Sequence, residues 1–395
     1  MKTAALIAGL VCAQLIAGIA AAAASAPNSG KCDRECMEGY VVSYSKAMLK
    51  HDASSLPLAR NLKVTENAKP SSLDSGIWKT ITRFLSNTST TQFVVDFTTN
   101  QVAMMAVIED GNEGKPVPAM YALRLKIDGG KISEVEQIVK RQSDVGGPFQ
   151  PEGFIWREAP YIRTIPPKLY TDRSGLARTA DIYWNVGTTT HNGYLIPYTV
   201  DCMHMENGML GSFERPLDTL EAYYPENNPQ SDFDGRIWTC QREASLSTVA
   251  WTKVTPGRRL IDEERGLVMD WNVVERTSGS FKINTVMPDG SKFEGPRYAP
   301  PGRGADGWPQ QAAGAVPGER MAGGPGGQGG PGGPGGPGGA GAGGPGGPAP
   351  SAMTSMAPAG ASANYHAQLF RIVDGKIARE QNIWLSVASG SPPPF

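Results

Sequence analysis

"HDASSLPLARNLKVTENA" at residues 51–68 lies over "HNGYLIPYTVDCMHMENG" at residues 191–208 with a single offset (191 − 51 = 140). The alignment places His51 on His191, Pro57 on Pro197, Glu66 on Glu206 and Asn67 on Asn207. Two further matches follow in the same order. "DSGIWKT" (74–80) lies over "DGRIWTC" (234–240), and "LRLKIDGGKISEVEQIV" (123–139) over "QLFRIVDGKIAREQNIW" (368–384). The offsets grow to 160 (234 − 74) and 245 (368 − 123), so the second copy carries insertions. Three ordered matches make the chain a tandem duplication.

Each copy opens on a helical pattern and continues as strands. Met37, Tyr40, Val41, Tyr44 and Met48 recur at helical spacing, as do Leu176, Ala180, Tyr183 and Trp184 in the second copy. "TQFVVDF", "QVAMMAVIED", "PAMYALRLKID" and "KISEVEQIV" read as strands of a meander with turns at "GNEGKP" and "DGG". Helices first and antiparallel strands afterwards predict an α+β fold. The copies span residues 31–141 and 174–388, joined by a Pro-rich linker at 142–173. The second copy is opened between "LVMDWNVVERT" and "NYHAQLFRI" by a long insertion. Its Gly/Pro-rich part, at about 302–360, is expected to be disordered.

The first 26 residues have one lysine, an apolar run and then small residues, the pattern of a cleaved signal peptide. That predicts a secreted or periplasmic protein with no membrane segment after cleavage. Five cysteines less Cys12 leave Cys32, Cys36, Cys202 and Cys240, an even number for an oxidising compartment. Pairing Cys32 with Cys36 and Cys202 with Cys240 keeps each bridge within one half. Zinc at Cys32 and Cys36 is the rival reading, but no matched Cys/His pair stands elsewhere. The formal net charge is −1, or −2 once Lys2 leaves, which argues against nucleic acid as a partner.

The "HD" helix end, the "LPLA" turn, the "VTEN" strand and the closing "LRLKIDGGKISEVE" run resemble the nuclear-transport-factor-2-like fold, also called SnoaL-like or ketosteroid-isomerase-like. More closely they resemble secreted proteins with two such domains in tandem. The resemblance implies two cone-shaped domains, each a curved antiparallel sheet wrapped by N-terminal helices around an apolar pocket. In isomerase and cyclase members a carboxylate in a motif resembling Val-Glu-Asp-Pro serves as general base. Val-Thr-Glu-Asn aligns Glu66 with that acid, and His-Met-Glu-Asn aligns Glu206. Here Glu replaces Asp and Asn replaces Pro. The family's tyrosine and protonated acid have no counterpart by motif.

Strand alternation puts Leu62, Val64 and Glu66 on one face, and Cys202, His204 and Glu206 on the equivalent face of the second copy. Glu66, with the backbone or Arg83 as partner, suits closing its cone. His204 and Glu206, two positions apart, suit acid–base work on one small molecule. His51 and His191, at helix ends, and Asn67 and Asn207, facing outward, read as capping and turn residues. Tyr44, Trp184 and Trp251 could line a pocket for an aromatic ligand, or fill the core. The sequence shows no phosphate loop, dinucleotide fingerprint, nucleophile elbow or metal-ligand cluster, so the expectation is no cofactor and no metal. The function expected is a cofactor-independent lyase, isomerase or dehydratase acting on a small, largely apolar molecule, with His204, Glu206 and Glu66 as catalytic candidates. The alternative is a non-catalytic hydrophobic-ligand-binding protein. With two copies in one chain, a monomer or weak dimer is expected.

Overall fold

A computed structural model describes residues 32–85, 92–111, 114–155, 160–213, 240–248, 251–276, 282–286, 292–296 and 362–395. The expected signal peptide and the Gly/Pro-rich insertion lie outside the described residues.

Helix α1 (Arg34–Leu49) starts where the Asp33 side chain accepts a hydrogen bond from the Cys36 amide, an N-cap. It buries Met37, Val41, Tyr44, Ala47 and Met48 on one face. His51 follows with φ of 53°, a left-handed residue that stops the helix, and its ring lies 2.7 Å from the Trp78 carbonyl. The chain then runs through β1 (Leu58–Glu66), β2 (Lys69–Pro70), α2 (Ile77–Thr80) and β3 (Ile81–Phe84). The meander β4 (Gln92–Asp96), β5 (Gln101–Asp110), β6 (Val117–Asp128) and β7 (Lys131–Lys140) completes a seven-stranded sheet.

The linker folds a short helix, α3 (Glu152–Ile155), and sinks Phe154 and Tyr161 into the core. Beyond it, α4 (Arg173–Thr189) repeats α1, capped by Asp172 and followed by left-handed His191. Strands β8 (Tyr198–Glu206) and β9 (Met209–Phe213) precede α5 (Cys240–Ser247). Then come β10 (Trp251–Asp262), β11 (Leu267–Arg276), the ribbon β12 (Lys282–Val286) with β13 (Lys292–Pro296), β14 (Ser362–Val373) and β15 (Lys376–Ala388). The disulfides are Cys32–Cys36 and Cys202–Cys240. No helix among the described residues is long and apolar enough to cross a membrane.

The fold is α+β and dominated by its sheets. The first sheet runs β2-β1-β7-β6-β5-β3, with β4 also on β5; the second, taken from its other end, runs β9-β8-β15-β14-β11-β10. The order is the same, with β10 standing where β3 and β4 stand. Neither sheet is wholly antiparallel, contrary to the sequence expectation: β1 pairs with β7, and β8 with β15, in parallel. No hairpin joins these partners, so no tight turn dictates their direction.

The sheets pack face to face. Val94, Met105 and Met120 of the first meet Met269, Trp271 and Leu369 of the second in one buried cluster. A reciprocal pair of aspartates pins this contact. Buried Asp96, ending β4, accepts from Arg173 at the start of α4 (2.8 Å) and from the Ile261 amide (3.0 Å). Asp262, ending β10, accepts from Arg34 at the start of α1 (2.7 Å) and from the Val95 amide (3.1 Å). Each half thus anchors the other through the same residue types. Charge-assisted hydrogen bonds of this kind contribute about 1.5–3 kcal/mol each.

Candidate functional site

Strand β8 carries Cys202, His204 and Glu206 on the face turned away from the first half, all buried. The disulfide from Cys202 ties β8 to the first residue of α5. Three residues along that helix, Glu243 presents Oε2 at 2.9 Å from His204 Nδ1. On the other side, β15 sets Glu380 in register with His204, its Oε1 3.8 Å from the same nitrogen. Tyr198 donates to Glu380 (3.2 Å), and the Trp384 indole donates to Glu206 Oε1 (2.5 Å). Three carboxylates therefore converge on one imidazole.

The electrostatics follow from that geometry. Burial pushes the His204 imidazolium down, but the charges of Glu243 and Glu380 outweigh it and raise the group to about 10. Burial drives Glu206 up to about 7, against the pull of His204. Glu380 rises to about 7 for the same reason. His366 on β14, stacked on Trp384 at 5.5 Å, is lowered to about 3 by burial and then by Arg276.

Several buried polar atoms here have no hydrogen-bond partner among the described residues. They are His204 Nε2, Glu243 Oε1, Glu380 Oε2, both His366 ring nitrogens and Gln368 Nε2. Such atoms are rare in folded interiors, and each calls for an explanation: strain, a catalytic role, or a bound water or ion. His204, Glu206 and Glu243 also each offer a ligand atom, all within 4.8 Å of one another. The sequence shows no metal-ligand cluster because Glu243 stands 39 residues from His204; folding assembles the group.

Glu66 sits elsewhere. Its Oε2 accepts from the Ile77 amide (2.8 Å) at the start of α2, with Arg141 3.6 Å from Oε1. Arg83 pairs with Glu109 instead. Gly76 above it has φ of 57°, and a Cβ there would lie 2.1 Å from the carboxylate, so this turn needs glycine. Tyr44 is a core residue, edge-on to Trp78 and hydrogen-bonded to Gln137. Trp184 and Trp251 stack on each other at 5.5 Å beside His366, and Trp184 donates to Asp270 (2.6 Å). Both pack edge-on against His366 of the second half, whereas Tyr44 lies in the core of the first.

The echoed asparagines are backbone clips. Asn67 (φ 52°) and Asn207 (φ 45°) are left-handed, and each exchanges two hydrogen bonds with the backbone of the last strand, at Val139 and Trp384 respectively. Sequence reading missed Glu243, Glu380, His366 and Gln368. The alignment held part of the signal, since offset 245 sets Glu380 on Val135 and Gln368 on Leu123.

Comparison with known proteins adds little. Residues 170–294 match a family model described as Domain of unknown function (DUF8021), a span holding His204, Glu206 and Glu243. No curated protein matches the chain. Among solved structures, the chain is similar to one titled "Structure of AusH from Aspergillus nidulans", at 11% identity, 32% of this chain and 99% of that chain, with a TM-score of 0.23. That score is too low to transfer a fold or an activity.

Proposed function

We propose that the chain is an exported pair of SnoaL-like domains, at residues 31–141 and 174–388, in which only the second works chemically. It acts as a lyase, isomerase or dehydratase by general acid–base chemistry on a small organic molecule. One observation carries this reading: the inner face of the second sheet is polar where the same face of the first is apolar. His204 and Glu380 pair across β8 and β15 where Val64 and Val135 pair across β1 and β7. A buried polar face costs stability unless it meets a partner, and the first half closes without one. Glu243 orients His204, and Glu206 stands two residues on, so one group takes a proton and the other returns it. The polar lining points to a substrate with hydroxyl or carbonyl groups, more polar than the sequence suggested.

Incubation with a panel of oxygenated aromatic and terpenoid compounds, followed by product analysis, tests this. Glu206→Gln and His204→Gln should abolish turnover and Glu66→Gln should not. Unchanged turnover in the first two variants overturns the assignment. Binding without product leaves the alternative, a ligand-capturing protein.

A further inference from the structure

We propose that His204, Glu206 and Glu243, with Glu380 beside them, form a binding site for one divalent transition-metal cation of the zinc or manganese type. The inference uses the residues of the acid–base reading but does not depend on it.

The donor atoms are already gathered. Ligand atoms of the first three lie within 4.8 Å of one another. His204 Nδ1 is 2.9 Å from Glu243 Oε2 and 3.8 Å from Glu380 Oε1. Ligands held at about 2.0–2.2 Å from a shared zinc lie roughly 3–4 Å apart, so little movement is needed. Charge points the same way. Three carboxylates surround one imidazole in the interior, and a dication offsets their mutual repulsion better than a single proton on His204 can.

Independent of proximity, the site has unmet capacity. Glu243 Oε1 and Glu380 Oε2 are buried with no hydrogen-bond partner among the described residues. His204 and Glu380 are 3% and 1% exposed, so bulk water is a poor substitute. Supporting bonds also exist. Trp384 orients Glu206 and Tyr198 orients Glu380, as outer partners orient the carboxylates of metal sites. The Cys202–Cys240 bridge holds the two chain segments that supply His204 and Glu243. One imidazole with carboxylates suits zinc, manganese or ferrous iron, whereas all-oxygen sites suit calcium and magnesium. The first half has Val64 and Val135 at the matching positions and, among the described residues, holds no such group.

The test is isothermal titration of chelator-stripped full-length protein with zinc, manganese and magnesium chlorides, alongside thermal unfolding. One equivalent of zinc or manganese should bind more tightly than magnesium and raise the midpoint. His204→Gln and Glu243→Gln should each weaken binding by about tenfold or more, and Glu66→Gln should not. Circular dichroism of each variant establishes that it is folded, and Glu380→Gln supplies a second, milder change. No binding by the wild type, or equal binding by His204→Gln and Glu243→Gln, overturns the site. Turnover by the stripped protein would leave the acid–base reading standing without the ion. Ion binding with no turnover of any compound would leave the site and remove the reading.

Discussion

The two inner sheet faces share one backbone plan and have opposite chemistry. Position by position, Val64, Met104, Ala119, Leu123 and Val135 of the first half become His204, Asp270, Asn364, Gln368 and Glu380 of the second, all buried. The strand registers secure the equivalence. Met104 faces Leu123 as Asp270 faces Gln368, and Tyr121 faces Val139 as His366 faces Trp384. In the first half Gln137 is polar, and the Tyr44 and Tyr121 hydroxyls both donate to it. In the second, His204, Glu243 and Glu380 lie together and each has a buried polar atom with no partner among the described residues. An unsatisfied buried polar group costs about 1–3 kcal/mol. The same backbone plan closes with valine in one copy and with histidine and glutamate in the other, so the polar pair is not a requirement of the strand pairing itself.

The largest effect should come from making the second face resemble the first. The triple substitution His204→Val, Glu243→Leu, Glu380→Val should remove turnover and ion binding. It should leave stability unchanged or raise it, since replacing a buried ionic group by apolar residues is neutral or gains about 1–4 kcal/mol. Urea unfolding of the variant against wild type decides it. A loss of several kcal/mol would mean that the polar cluster holds the second half together, and the contrast between the halves would lose its functional meaning.

The asparagine clips measure the same difference through the backbone. Asn207 is fully buried and Asn67 is not, though their bonds match. Asn207→Ala should therefore cost about 2–3 kcal/mol, for two bonds at roughly 1 kcal/mol each plus left-handed strain. Asn67→Ala should cost less. Glycine at either position relieves the strain and isolates the hydrogen bonds. Equal losses at the two sites would show that burial does not set their strength.

The asparagines also mark how far the sequence could be read. Their repetition was visible, and so was the repeated element order that recurs as two sheets of matching strand order, one with seven strands and one with six. The reason for their repetition was not, because the partner strand lies 72 residues beyond Asn67 and 177 beyond Asn207. His204 and Glu206 were legible from alternation on one strand. Glu243 was hidden because α5 has no helical counterpart at that point of the first half. Glu380 was hidden because its role depends on a parallel pairing that no turn announces. Asp96 and Asp262 escaped notice because their partners across the interface, an arginine at a helix start and a strand amide, both lie in the other half.

Those aspartates allow a smaller test. Burial alone would raise Asp96, but hydrogen bonds from Arg173 and the Ile261 amide outweigh it and hold the carboxyl below its ordinary range. A depressed native value contributes stability that is complete above the unfolded value of about 3.9 and is lost as pH falls through the native one. Asp96→Asn should therefore lower stability at neutral pH and flatten the decline below about pH 4. Denaturant titrations between pH 3 and pH 6 measure both. An unchanged acid slope would show that the carboxylate is not the group being titrated.

The smallest effect concerns the segment by which the halves differ most in length. In the first half β5 and β6 pair up to Asp110 and Val117, with six residues between them (117 − 110 − 1). In the second, β11 and β14 pair up to Arg276 and Ser362, with 85 residues between them (362 − 276 − 1). Closing the longer connection costs more by about (3/2)RT ln(85/6), roughly 2 kcal/mol if it makes no contacts. Yet the second ladder is complete to its last pair, so the insertion does not fray the strands that flank it. Deleting residues 323–350 removes 28 and leaves 57, which changes the closure term by only about 0.4 kcal/mol, in the stabilising direction. The unfolding midpoint should therefore move by no more than about two degrees, upward. A fall of several degrees would show that the insertion packs on the second half, and the difference between the halves would then extend beyond the sheet face to what covers it.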